Sequence, residues 1–173
     1  EAAREWSKDA KIRFAKADSL DENGLVDLWK FGFFSREKQL GLVIEVQSGT
    51  TIINQYEVSL EDIAELRGAD LPDWTESSDA FAKAEAVVGK KYRDSGKIKN
   101  VKANLFNEEV VSKSTFITNT ELATWEITYE LTDGTNEVVF VQGETITTAV
   151  DSFDNELPNV VTLSQNYPNP FNP

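Results

Sequence analysis

The sequence predicts an α+β protein of two tandem helix-plus-antiparallel-sheet units, followed by an extended Pro/Asn-rich tail. Three observations carry that expectation. Short runs with an apolar residue at every second position recur along the chain, which is the period of a half-buried strand. One segment, Ala80 to Asp94, instead spaces its apolar residues by three and four, the period of a helix. Finally, the alternating trio Trp29, Phe31 and Phe33 recurs 96 residues later as Trp125, Ile127 and Tyr129.

Residues 1–9 read as the closing turns of a helix. Residues 10–18 fit two patterns: Trp6, Ala10, Phe14 and Ala17 make a helix face, whereas Ile12 and Phe14 between Lys11, Arg13 and Lys16 make an alternating strand. Asp21-Glu-Asn23-Gly24 is a turn. Leu25 to Phe34 reads as a strand, and Ser35 to Gln39 turns the chain. Leu40 to Val46 follows as a strand with Leu42, Ile44 and Val46 on one face. Ser48-Gly49 turns again into a strand from Thr51 to Val58. Leu60 to Leu66 suits a short helix, and the stretch around Pro72 reads as a linker. Ser77, Ser78 or Asp79 is placed to cap the helix that follows, whose buried stripe would be Phe81, Ala84, Val88 and Tyr92. Gly96 stops it. Strands are expected at Lys97 to Phe106, Val110 to Thr118, Ala123 to Leu131, Asn136 to Gln142 and Thr145 to Val150, with a hairpin at Asp133-Gly134.

Composition narrows the function classes. Thirty acids against 17 bases leave a net charge of −13, which disfavours nucleic acid and anionic membrane surfaces as partners. Apolar residues make up 40% of the chain, with ten Phe and four Trp, so a real core can form. No apolar run approaches the ~18 residues that a spanning helix needs, so membrane insertion is not expected. There is no Cys and no His, which closes thiol chemistry, the Ser-His-Asp arrangement and the commonest metal ligands. The chain opens at Glu1 without a Met or a visible signal peptide and is read as a mature or trimmed form.

The repeat extends past the Trp trio. Leu42, Val43 and Ile44 align with Val138, Val139 and Phe140, so the intervening hairpin is expected to have equal length in both copies. The second copy carries an insertion at about 107–121. The motif Trp29-Lys-Phe31-Gly-Phe33 with Gly41 to Val46 and Gly49, repeated as Trp125-Glu-Ile127-Thr-Tyr129 with Val138 to Val141 and Gly143, resembles PepSY-like domains. That resemblance implies small secreted modules of helix plus sheet, generally non-catalytic, that act in protein interaction or peptidase regulation. It divides the chain into a first unit at 1–66, a linker at 67–78, a second unit at 79–150, and a connector with tail at 151–173.

Three of the five prolines lie in the last six residues, so this end is neither helix nor central strand. From composition alone it is an extended linker with a rigid turn. Its string, Leu163-Ser-Gln165-Asn166-Tyr167-Pro168-Asn169-Pro170-Phe171-Asn172-Pro173, resembles the opening of the type A sorting tail on cargo of the bacterial type IX secretion system. The resemblance covers 157–173. It implies export through the periplasm to the cell surface or medium, with the secretion machinery as a partner through the complete tail.

Few residues suggest chemistry. The loop from Asp18 to Asp27 offers Asp21, Asn23 and Asp27 before and after Gly24, as a calcium loop would, but Ser19 and Lys30 fall where such a loop needs acids. An Asx-type turn explains the same residues without a metal. Trp74, in the linker, is the tryptophan most suited to contact a ligand, because Trp29 and Trp125 lie in core-like strands. Acid pairs such as Glu61/Asp62, Asp70/Asp73 and Glu108/Glu109 read first as solvated surface. No catalytic residue and no cofactor is assigned. The expected function is a secreted, non-catalytic recognition or regulatory domain for protein or peptide. Alternatives are a glycan- or surface-binding module, a carboxylate hydrolase, or a spacer before the tail.

Overall fold

The computed structural model describes residues 1–47, 51–67, 69–107 and 122–151. In chain order the elements are α1 (Ala2–Trp6), β1 (Lys11–Ala17), β2 (Leu28–Ser35), β3 (Leu40–Gln47), β4 (Thr51–Val58) and a 3₁₀ turn (Ala64–Arg67). Then come α2 (Ser77–Ala84), a π turn (Glu85–Gly89), α3 (Lys90–Asp94), β5 (Ile98–Phe106), β6 (Thr124–Leu131), β7 (Asn136–Gln142) and β8 (Thr145–Asp151).

The strands form one antiparallel sheet in the order β4-β3-β2-β1-β5-β6-β7-β8. This corrects the expected α+β pair of PepSY-like helix-plus-sheet units. The chain is mostly strand, and the one substantial helical segment is Ser77–Asp94. The physical reason lies in residues 10–18. They take the strand alternative, leaving only five helical residues ahead of them, too few for a helix to stand without tertiary support. As β1, those residues then pair with β5 (Ala15↔Leu105, Lys16↔Asn104, Ala17↔Ala103), so the sheet runs unbroken past the expected linker. Pairing between strands nearly 90 residues apart leaves no mark on local periodicity.

The two hairpins have the expected equal span between strands, four residues each, but not the same register. Trp29 faces Val46, but Trp125 faces Val141 rather than Gln142. The first hairpin closes over Arg36–Gln39, with Gln39 held at φ 54 and its amide donating to the Arg36 carbonyl. The second closes over Thr132–Gly134, where Gly134 takes φ 89 at no steric cost. The Leu131 N–H donates to the Thr135 carbonyl, so pairing reaches one residue further into this turn.

Each face of the sheet is covered differently. On one face Phe81, Ala84 and Val88 of the long helical segment pack with Ala80 on Val101, Leu105, Ile127, Tyr129 and Val139. A buried side chain of this kind contributes about 1.5–3 kcal/mol. Small residues lie beneath the rings at the centre of this face: Ala15, Ala17 and Ala103 are buried among Trp29, Phe31 and Trp125. Further along, α1 lays Ala3 on Leu42 and Ile44. On the opposite face Leu66 of the 3₁₀ turn packs on Phe14 and Val43. Among the described residues no helix is long and apolar enough to cross a membrane.

Candidate functional site

The feature most suited to binding is a groove of about 810 Å³ on the α1 side of the sheet. Its floor is the alternating face of β2–β4: Phe31, Phe33, Ile44, Val46 and Ile52. Register puts these residues in rows across the strands, Phe31↔Ile44 and Val46↔Ile52, because period-two alternation sends every second side chain to the same side. Its wall is Ala2 and Ala3 of α1, and its rim carries Arg4, Lys8 and Lys11 against a single acid, Glu1.

The wall is fixed in place. Trp6 Nε1 donates to Glu57 Oε1 at 2.5 Å, and Lys38 Nζ sits 5.0 Å from the Trp6 ring centre. Beyond the helix, Asp9 accepts Ser35 Oγ at 2.6 Å, Ser7 Oγ at 2.7 Å and the Glu37 N–H at 2.9 Å. These donors, Ser35 foremost, hold the Asp9 carboxyl well below the usual carboxylate range. The groove is therefore preformed by a turn locked onto the β2–β3 hairpin.

A second hollow of about 270 Å³ adjoins it, sharing Ile12 and Phe31 and lined also by Trp29, Trp74, Leu105 and Trp125. Trp29 meets Trp125 edge-on at 5.9 Å, and Trp125 Nε1 donates to the Thr75 carbonyl at 2.7 Å. The segment carrying Trp74 runs between the two halves of the sheet. Its Leu71 N–H donates to the Ile12 carbonyl, and its Asp73 carbonyl accepts the Ala123 N–H. Trp74 remains 43% exposed beside this hollow.

The sheet ends on β4, and among the described residues its outer edge pairs with no strand. Thr51 to Glu57 are exposed on both faces, with Ile52 at 46%, Ile53 at 50% and Tyr56 at 39%. Such an edge usually carries Lys, Pro or a bulge turned outward to block strand addition. β4 has no Pro and no Lys, and its one bulge, at Ile53 between the pairs Glu45↔Asn54 and Val46↔Ile52, leaves the edge from Asn54 to Val58 regular.

The other sequence candidates are dispersed. Asp21 Oδ1 accepts the N–H groups of Asn23 and Leu25, each at 2.8 Å, and the Leu25 bond leads in lowering its pKa. Gly24 follows at φ 74 against Phe81. Asp27 is exposed. Among the described residues no three acids gather closely enough to hold a metal ion. Asp62 receives Ser59, Asp70 pairs with Arg13 at 3.1 Å and Arg36 at 3.8 Å, and Asp73 is exposed. Glu126 is raised from the ordinary glutamate value by burial, yet it lines neither hollow. Glu108, Glu109, nearly all of the 107–121 insertion and the sorting motif from Gln165 to Pro173 lie outside the described residues.

Sequence reasoning missed the basic rim and the bare edge. The clue to the edge was present, since Thr51–Tyr56 contains neither a charge nor a proline. The rim had no such clue, because Arg4, Lys8 and Lys11 belong to different elements and meet only once α1 folds back. Comparison with family models, with curated proteins and with solved structures finds no match to the chain.

Proposed function

We propose that this chain is a non-catalytic recognition domain that binds an extended stretch of protein or peptide. The observation that carries the reading is the edge of β4, which is exposed and pairs with no outer strand among the described residues, lying against a preformed apolar groove. An added strand gains main-chain hydrogen bonds from such an edge and specificity from pockets for its alternate side chains. The absence of His and Cys supports a binding role over catalysis, and the net charge of −13 favours protein over nucleic acid. Export by a type IX-like pathway to the surface or medium belongs to the same proposal and rests on the string at 157–173.

The test is selection of a random extended-peptide library on the immobilised protein and on the double variant Ile53→Lys, Tyr56→Lys. Peptides retained by the native chain and lost on the variant support the reading. Peptides retained equally by both, or none retained by either, argue against it. A glycan-binding role has one observation in its favour, the exposed Trp74 ring beside Trp29 and Trp125. Capture of a polysaccharide that disappears in Trp74→Ala would move the assignment there.

A further inference from the structure

The rim of the groove is basic although the molecule as a whole is acidic. Acids outnumber bases by 30 to 17 over the chain. Seven of the other described bases have acidic partners: Arg13 and Arg36 with Asp70, Lys30 with Glu45, Lys38 with Glu57, Lys83 with Glu144, Arg93 with Glu85 and Lys102 with Glu130. Arg4, Lys8 and Lys11 are exposed, and among the described residues their side chains make no ion pair or hydrogen bond. Three cations without partners thus surround one apolar floor on an otherwise acidic protein.

We propose that this groove takes an extended partner segment in which acidic side chains alternate with apolar ones. The inference rests on the recognition reading above and names the partner's chemistry. Side chains along a strand alternate between faces and repeat on one face about every 7 Å. An extended segment can therefore turn its apolar residues to Phe31, Phe33 and Ile44 while its acids meet the rim. Lys90, Lys97 and Lys99 are also exposed and form no close ion pair among the described residues, but they line no part of the groove, so the rim is where cations and an apolar floor coincide.

The test uses the whole chain and fluorescence anisotropy. The probes are a labelled octapeptide alternating Glu with Val and Phe, the same peptide with Lys for Glu, polyglutamate, and phosphatidylglycerol vesicles. The Glu peptide is expected to bind at least about tenfold more tightly than the Lys peptide. Three exposed ion pairs are together worth about a tenfold change, so the triple variant Arg4→Gln, Lys8→Gln, Lys11→Gln should lose about that much. Raising NaCl from about 50 to about 500 mM should weaken binding several-fold. Ile52→Asp should weaken it as well, with an unchanged circular dichroism spectrum showing that each variant folds. Equal binding of both peptides with retained sensitivity to Ile52→Asp would overturn the charge assignment and leave the recognition reading standing. Equal binding of polyglutamate or of the vesicles would overturn the requirement for apolar residues. No binding by any probe would overturn this assignment and count against the recognition reading too.

Discussion

Gly32 carries no side chain because the ring of Phe14, its cross-strand partner, occupies the space where a Cβ would be. Phe14 is almost fully buried beneath Leu66, so neither neighbour can yield cheaply. Gly32→Ala should lower stability by about 1–3 kcal/mol in urea denaturation, the cost of overpacking a filled site. A second local feature governs pH response. Tyr92 donates its hydroxyl to Glu137 Oε1 at 2.5 Å, and this bond, ahead of burial, pushes the phenol up to about 12. An acid whose folded pKa is raised stabilises the fold fully below its ordinary value and loses that contribution as pH rises to the folded value. Stability should therefore fall between about pH 10 and 12. Tyr92→Phe should show a flatter melting profile across that window. Asp9 has the opposite sign. Its lowered pKa contributes above the ordinary aspartate value of 3.8, and the contribution is lost as the pH falls below it. Asp9→Asn should remove that part of the acid sensitivity.

Among the elements, the strands were the most legible in the sequence. The alternation of Trp29, Phe31 and Phe33, or of Trp125, Ile127 and Tyr129, is a local signal and survives folding unchanged. The helix was legible too, but not the π turn inside it. The expected cap at Ser77–Asp79 is replaced by Glu76, which makes no side-chain capping bond. The π turn at Glu85–Gly89 had no sequence signature. It sits where a Cβ on Gly89 would come within 2.7 Å of the Tyr129 ring, and where Glu85 reaches Arg93, eight residues on, through two hydrogen bonds of 2.8 and 3.1 Å. Tyr129 is fully buried beside that pair, and burial, followed by Glu85, raises its pKa. β4 gives the sharpest prediction at this scale. Because Ile53 and Tyr56 face water, replacing both with Lys should leave the melting temperature within about 2 °C, as expected for surface changes. The same variant should lose peptide capture. A melting loss much larger than this would mean that the edge is a structural support instead.

For the whole molecule, the joining of two four-stranded meanders through β1 and β5 is the fact that local patterns could not reveal. Three residue pairs form that seam, and Trp29 reaches across it to Trp125. One core cluster contains Ala15 and Ala17 from the first meander and Ile127 and Val139 from the second. Heat or urea should consequently unfold both meanders in one transition, with fluorescence and far-ultraviolet dichroism coinciding. Two separated transitions would contradict a shared core. The candidate site is a product of the same scale. Its floor was visible as apolar alternation in β2 and β3, but its rim and bare edge exist only because α1 folds over β3 and β4 ends the sheet. The measurement that tests the recognition account most directly is backbone amide exchange with and without the Glu-Val-Phe octapeptide. The account predicts slowed exchange along Thr51–Val58, with α1 and β2 next and β8 unchanged. Protection confined to β8 or to the α2–α3 surface, or no protection while the peptide is bound, would contradict it.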